Sequence, residues 1–307
     1  MPRKQLRGVF ALIPLVLREN QEIDYEGMKE SIRFLADAGI HGFIALGCMG
    51  QCHAVNDKEF ERVVDAGVSA SDKIASVFGT TNPSTNECVR RTKYAEDAGA
   101  DGVMIAPPYA LPITYDECFE HYRLVDDSID DLQVMVYNYP YLPRGLDMTY
   151  QFWKERLLGL DSIKALKEST LSHDKLIFTL KDRINVFSGS ENSFFHDSII
   201  GAKGIVSEFS LVSPKLVLEF YDACLRGEQR NERMLMMYER ILDCFYAVPG
   251  GLEGGSFSIY EIGYMNATAE IGGHKAGPPR HPYQVLPKEM RGRLEKAIQD
   301  LRAMERE

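Results

Sequence analysis

The chain has 307 residues, of which 45% are hydrophobic and 26% charged, and its formal net charge is −10. This balance is typical of a folded globular protein with a large core, and it argues against disorder. The negative charge, without any run of Lys and Arg, argues against a nucleic-acid partner. Apolar stretches are strand-sized and residues 1–7 lead directly into a strand, so we expect neither a membrane span nor a signal peptide.

Apolar, β-branched runs alternate with amphipathic helical stretches from Gly8 onward. The predicted strands cover residues 9–17, 42–48, 74–80, 102–107, 133–138, 163–168, 184–188 and 204–209. The helices predicted between them include residues 25–38, 57–70, 84–98, 114–129 and 214–226. Eight such units indicate an α/β fold, the (β/α)8 TIM barrel. A doubly wound open sheet is the rival, disfavoured because no Gly-x-Gly-x-x-Gly turn follows the first strand.

After residue 226 the pattern becomes wholly helical. Helices are predicted over residues 228–246, 257–271 and 288–303, with a glycine-rich hinge and a proline-rich connection between them. We therefore expect two regions, a catalytic barrel over residues 1–226 and a C-terminal helical extension over residues 227–307.

Two polar side chains stand at the ends of apolar strands. Lys167 ends the sixth strand, where desolvation lowers the pKa of an amine and makes it a nucleophile that forms a Schiff base with a carbonyl group. A lysine that reaches solvent from the strand end is the alternative. Tyr137 near the end of the fifth strand is a candidate proton shuttle, or else a core tyrosine bonded to backbone. Active sites of TIM barrels lie at these strand ends, which favours the catalytic interpretation of both.

The second strand ends in Gly47-Cys48-Met49-Gly50-Gln51. Flanking glycines let backbone amides turn toward a small anion, so this turn is a candidate carboxylate site. Taken alone, such a turn is a weak signal.

At this point the chain resembles the dihydrodipicolinate synthase and N-acetylneuraminate lyase superfamily, the class I pyruvate-dependent aldolases. Gly47 to Gln51 stand where the family usually has Gly-Thr-Thr-Gly-Glu. The other matching segments are Ala106-Pro107-Pro108-Tyr109, Tyr137-Asn138-Tyr139-Pro140, Ile163-Lys164-Ala165-Leu166-Lys167-Glu168-Ser169, Ser188-Gly189-Ser190-Glu191, Gly204-Ile205-Val206-Ser207 and, in the tail, Gly277-Pro278-Pro279-Arg280-His281-Pro282.

The resemblance implies a role for each matching residue. Lys167 would form the imine with a 2-oxo acid, Tyr137 would move protons, and the backbone near Cys48 and Met49 would hold the carboxylate. Tyr109 falls where the family places a tyrosine that reaches into a neighbouring subunit, and homotetramers built as dimers of dimers are usual in the group.

Three further residues are expected to contact substrate on the same grounds. They are Glu191, Ile205 and Ser207, which lie after the seventh strand and on the eighth. Arg144 lies close to the arginine that binds a second carboxylate in the synthase, in a loop that is longer here; it either binds a carboxylate or is a solvated loop arginine.

Cys48 and Met49 depart from the family pattern. In the synthase, the first threonine hydroxyl of this turn links two tyrosines in a proton relay, and the second binds the carboxylate. A thiol is a weak hydrogen-bonding group and a thioether cannot donate, so both functions are lost or reassigned here. Met49 also makes the site more apolar, which suits a substrate with a hydrophobic tail better than a polyhydroxylated sugar acid.

The leading hypothesis is a Schiff-base lyase or aldolase that acts on pyruvate or a related 2-oxo acid. The alternatives are a 2-oxo acid dehydratase or hydratase-aldolase with the same lysine, dihydrodipicolinate synthase itself, and a barrel that binds keto acids without turnover. The expected partners are a small 2-oxo acid and an aldehyde.

No cofactor is expected beyond the covalent lysine imine. Seven dispersed histidines give no metal-ligand spacing, and six scattered cysteines without a Cys-x-x-Cys pair indicate reduced thiols in a cytoplasmic protein.

Overall fold

The computed structural model describes residues 2–140, 145–170, 173–248 and 259–306. Eight parallel strands close into a barrel in which each strand pairs with its neighbours in chain order, and the last pairs with the first. The strands are β1 (Gly8–Leu12), β2 (Gly42–Ala45), β3 (Ala75–Gly79), β4 (Gly102–Ile105), β5 (Gln133–Asn138), β6 (Ile163–Glu168), β7 (Asn185–Ser188) and β8 (Gly204–Ser207). The predicted TIM barrel with C-terminal helices is confirmed.

A helix follows each strand and packs outside the barrel. These helices are α1 (Tyr25–Asp37), α2 (Asp57–Ser69), α3 (Thr85–Asp97), α4 (Tyr115–Asp126), α5 (Tyr150–Glu155), α6 (Asp174–Leu180), α7 (Glu191–Ile200) and α8 (Pro214–Leu225). Local sequence fixes several of their starts. Asn56 and Thr114 form capping boxes with Glu59 and Glu117, so the free amides at these helix ends are bonded.

Five strands, β1 to β4 and β8, end earlier than the apolar pattern predicts, and at three of them the local backbone shows how the strand ends. β1 stops at Leu12, and the buried run that follows contains Pro14, which has no N–H for a strand ladder. β2 stops at Ala45 because Leu46 takes a left-handed conformation with φ of 56°. β8 stops at Ser207, and the chain bends at Glu208. Each early end lies at the carboxyl mouth of the barrel, where backbone must leave the sheet to build a site.

Strand alternation divides the core into two layers. The side chains of Ile44, Met135, Ala165 and Val206 belong to one apolar cluster inside the barrel, together with Tyr137. A second and larger cluster fills the space between strands and helices. A residue two positions after an interior one therefore also faces inward.

Three more helices follow the barrel: α9 (Glu232–Tyr246), α10 (Glu261–Ile271) and α11 (Lys288–Ala303). α9 and α11 join the outer apolar cluster through residues such as Ile241 and Ile298. α10 differs, because its Met265 packs into the interior cluster. The C-terminal helices thus share one core with the barrel, and α10 lies over its mouth. Within the described ranges, no helix has both the length and the apolarity to cross a membrane.

Candidate active site

Lys167 and Tyr137 lie side by side at the carboxyl mouth of the barrel. They are opposite each other in the register of β5 and β6, and both follow an interior residue by two positions. The Lys167 Nζ lies 4.3 Å from the centre of the Tyr137 ring, and the lysine is 5% exposed. Tyr137 in turn stacks on Tyr139, with ring centres 5.2 Å apart. The structure therefore brings together the amine and the phenol predicted from sequence.

Burial lowers the pKa of Lys167, although the neighbouring Cys48, Glu208 and Glu261 act in the opposite direction. Nζ makes no hydrogen bond with any described residue. The amine is thus desolvated, unpaired and aimed into the barrel mouth. Burial of the charged ammonium form would cost free energy, so the site favours the neutral amine. A neutral amine is the nucleophilic form of lysine that attacks a carbonyl carbon.

Burial also raises the pKa of Tyr137 well above its usual value, with further contributions from Cys48 and Tyr139. A hydrogen bond with Ser169 acts in the opposite direction. The phenol therefore stays protonated at neutral pH and is a proton donor in the resting site.

A hydrogen-bonded network behind the barrel wall holds the two strand ends. Asn138 Nδ2 donates to Glu168 Oε2 at 2.9 Å, and the Met148 amide donates to Asn138 Oδ1 at 3.1 Å. The other Glu168 oxygen accepts from the Thr170 amide and hydroxyl at 2.8 and 2.6 Å. Asn138 and Glu168 directly follow the phenol and the amine along their strands, so this network fixes the relative position of both site residues.

The turn after β2, where sequence predicts a carboxylate site, lies close enough to the amine for Cys48 to affect the pKa of Lys167. Leu46 and Gln51 both have left-handed backbone, with φ of 56°. The backbone amides of Cys48 and Met49 donate no hydrogen bond to any described residue. Free amides on a strained turn are suited to a carboxylate. The thiol of Cys48 stays protonated, because its contact with the Cys52 thiol and burial raise its pKa.

The C-terminal tail holds this turn in place. The Arg280 amide donates to Gln51 Oε1 at 2.8 Å, and its guanidinium binds both oxygens of Glu59 at 2.8 and 2.9 Å. The same guanidinium donates to the carbonyl groups of Ala54 and Gln21. The arginine of the tail motif is therefore an internal brace rather than a surface charge.

Tyr109 is half-buried beside the same turn. Burial raises its pKa, and the Cys52 and Cys48 thiols add to the shift, so the phenol is near these thiols in its own chain. Arg144 lies outside the described residues.

The structure gives the direction of the side chains expected to contact substrate on and near β8. Ile205 belongs to the outer cluster, so its side chain points away from the barrel interior. Ser207, two positions later, also points outward and donates to Glu191 Oε1 at 2.6 Å. The Glu191 carboxylate accepts two further bonds, from the amides of Glu208 and Phe209, both at 3.2 Å. These contacts make Glu191 a support for the loop after β8.

Two acidic residues in the site were missed from the sequence. Glu208 follows the interior Val206 by two positions, and Glu261 precedes Met265 by one helical turn. Both carboxyl groups are near enough to Lys167 for the lysine to lower their pKa values, although burial raises both values further. Alternation along β8 could have indicated Glu208. No sequence signal indicates Glu261, because only tertiary packing brings α10 to the mouth.

In the described part of the chain, no group of three or more His, Cys, Asp or Glu side chains is arranged to hold a metal ion. The groups that the described residues bring to the barrel mouth are an unpaired amine, a protonated phenol, free backbone amides and two carboxyl groups. Set at the carboxyl mouth of a TIM barrel, these groups define the class of enzymes that bind carbonyl substrates as lysine imines.

Comparison with known proteins identifies the family. Residues 5–301 match the dihydrodipicolinate synthetase family, and the chain belongs to it. Members are class I lyases that act on pyruvate through a lysine Schiff base, so the predicted family and enzyme class are confirmed.

Individual relatives agree with this assignment. A 4-hydroxy-tetrahydrodipicolinate synthase of Hydrogenobaculum sp. (strain Y04AAS1) is 30% identical over 223 residues, which are 72% of this chain and 76% of the relative. The synthase of Methanospirillum hungatei JF-1 is 28% identical over 299 residues, or 95% and 98% of the two chains. The sialic acid aldolase structure of Ruminococcus gnavus superposes with a TM-score of 0.86 over 98% of each chain, at 17% identity, and so supports the fold.

Proposed function

We propose that this chain is a Schiff-base lyase in which the Lys167 amine condenses with pyruvate or a related 2-oxo acid. A carbon–carbon bond is then cleaved or formed through the lysine enamine. The observation that carries the proposal is the amine itself, which is buried, 4.3 Å from the Tyr137 ring centre and without a hydrogen bond to described residues.

Each step of the reaction has a group assigned to it. The amides of Cys48 and Met49 bind the carboxylate of the 2-oxo acid, which places its C2 carbonyl carbon at Nζ of Lys167. Attack gives a carbinolamine, and the Tyr137 hydroxyl protonates the departing oxygen as water. The Tyr137 phenolate then takes a proton from C3, which regenerates the phenol and yields the enamine, whose carbon forms the new bond with an aldehyde. Cleavage is the same sequence in reverse.

Trapping the imine tests this assignment. Borohydride reduction in the presence of pyruvate should add a stable mass to the wild-type chain and none to Lys167→Ala. Lys164→Ala is the matched control, because Lys164 lies on the same strand but is exposed; it should trap pyruvate like the wild type. Tyr137→Phe should trap at least about 100-fold more slowly, the usual contribution of a general acid. Full trapping in Lys167→Ala, or an unchanged rate in Tyr137→Phe, would contradict these roles.

Product analysis separates the lyase from the other enzymes that use the same lysine. A lyase releases free pyruvate, whereas a 2-oxo acid dehydratase or hydratase-aldolase eliminates or adds water. The relatives named 4-hydroxy-tetrahydrodipicolinate synthase make that reaction a further candidate. It ranks lower because Cys48 and Met49 bring no hydroxyl group to the turn.

We propose a homotetramer, a dimer of dimers, in which Tyr109 contributes to a neighbouring site, and a cytoplasmic location. The division into residues 1–226 and 227–307 falls between α8 and α9, which share the outer apolar cluster.

A further inference from the structure

Glu208 is an acidic side chain at an inward position of the barrel mouth. It follows the interior Val206 by two residues, where β8 ends and the chain bends. Its amide donates to Glu191 Oε2 at 3.2 Å, and Glu191 is itself fully buried, so the backbone at this point is fixed. The Glu208 side chain is only partly buried, so its carboxyl group can meet a ligand that enters the mouth.

Helix α10 covers the same space from the other side. Met265 of this helix reaches the interior cluster, and Glu261 lies one turn earlier on the same helix face. The Glu208 carboxyl group is therefore near Lys167 at the mouth on which α10 packs, since each of the two groups shifts the pKa of the other.

Neither of these two groups is paired inside the protein. Among the described residues, the Glu208 carboxyl group accepts no hydrogen bond and forms no ion pair, and the Lys167 amine donates none. Buried polar groups normally have partners. The buried amine and the partly buried carboxyl group are both open at the same mouth, where a ligand with polar atoms near the carbon that the amine binds can meet both.

We propose that the Glu208 carboxyl group is a second acid–base residue of the site, which exchanges a proton with the oxygen of the acceptor aldehyde. The inference rests on the proposed function. When the enamine carbon attacks the aldehyde carbon, a carbon–carbon bond forms and the C=O π pair moves to oxygen, which takes the proton of Glu208. The enamine nitrogen becomes an iminium, and water hydrolyses it to release product and the amine. Glu208 recovers its proton from water.

The protonation of Glu208 suits this role. Burial raises its pKa to about 8, with Glu191 adding to the shift and Lys167 opposing it. Glu261 and Tyr264 of α10 also face it, and both have pKa values raised by burial and by Glu208. The carboxyl group thus carries a proton at neutral pH and gives it up just above, which is the range required of an acid–base catalyst. The phenol of Tyr137 titrates far higher.

The test compares addition of pyruvate to a panel of aldehydes, beginning with glycolaldehyde, in wild type and Glu208→Gln. The glutamine is nearly isosteric but carries no acid. We expect kcat/KM for addition to fall at least about 100-fold in Glu208→Gln. In the wild type, kcat/KM should decline above about pH 8 as Glu208 loses its proton, and this decline should be absent from the variant. Glu208→Asp keeps a carboxyl group, so it should restore part of the rate and also the decline of kcat/KM at high pH. A purely structural role for Glu208 would not produce this recovery of the pH dependence.

Two controls make the outcome decisive. Glu239→Gln removes an exposed acid on α9 and should match the wild type. Borohydride trapping of pyruvate, with thermal unfolding, shows whether each variant is folded and has a reactive Lys167. A trapped and folded Glu208→Gln enzyme with the wild-type rate and pH profile would overturn the inference, as would a wild type that traps pyruvate but adds it to no aldehyde. A wild type that traps no 2-oxo acid would overturn the proposed function instead.

Discussion

The amine of Lys167 owes its reactivity to the surroundings that the barrel gives it. Burial lowers its pKa from the usual value of 10.5, because water no longer stabilises the ammonium form. The rate of imine formation follows the neutral fraction, so trapping of pyruvate should rise with pH and level off below pH 10.5. Borohydride trapping stopped at a series of times, at pH values from 6 to 10.5, measures how the rate of imine formation depends on pH. A rate still rising steeply at pH 10.5 would mean that the lysine is ordinary.

Sequence could predict Lys167 and Tyr137 because each is a polar residue at the end of an apolar run. The expectation that Ile205 and Ser207 contact substrate took no account of the strand pleat, which turns the side chain of Ile205 outward and that of Val206 inward. The strand was predicted to run past Glu208, whereas β8 ends at Ser207 and the chain bends at Glu208.

Strands β5 and β6 act as one rigid element at the site. Their ends are joined by Asn138, which donates to Glu168 and accepts from the Met148 amide. Asn138→Ala leaves a buried carboxylate oxygen and a buried amide without these partners. We expect a loss of about 1–3 kcal/mol in the free energy of unfolding, measured by urea denaturation. Gln151→Ala, which removes an exposed hydrogen bond on α5, should cost far less; equal costs would show that the network is unimportant.

The backbone conformation of the turn after β2 could not be predicted from the apolar pattern of the strand. Its glycines predicted a turn, and the confirmed barrel places that turn at the mouth. The left-handed conformation of Leu46 could not be predicted, because leucine rarely adopts it. It is tolerated where Gly79 of β3 lies so close that a Cβ there would overlap the Leu46 carbonyl oxygen. Contacts between strands, invisible in either segment alone, set the shape of the turn.

In the whole molecule, the C-terminal region forms part of the active site: α10 packs on the barrel mouth, and the tail contacts the turn after β2. Sequence patterns predicted helices there, and α11 has the predicted bounds of residues 288–303. They predicted neither that α10 covers the mouth nor that the tail reaches the β2 turn. Those contacts join residues more than 200 positions apart, such as Arg280 to Gln51 and Glu59. Local periodicity carries no information on such pairs.

Arg280 therefore acts as a positioning residue for the turn. Arg280→Lys loses the two-pronged contact with Glu59, which a single ammonium cannot replace. We expect the pyruvate concentration for half-maximal trapping to rise several-fold. Arg291→Lys is the control, because Arg291 pairs with Glu270 in the same region at greater exposure. A fall in Tm without any change in pyruvate dependence would reduce Arg280 to a structural role.

The position of the covalent adduct tests the central claim most directly. After reduction with borohydride and pyruvate, the wild-type chain is digested and the modified peptide is sequenced by mass spectrometry. We expect a single modified residue, Lys167. Modification of Lys164 or of another lysine in its place, or an unmodified chain with every 2-oxo acid tried, would contradict it.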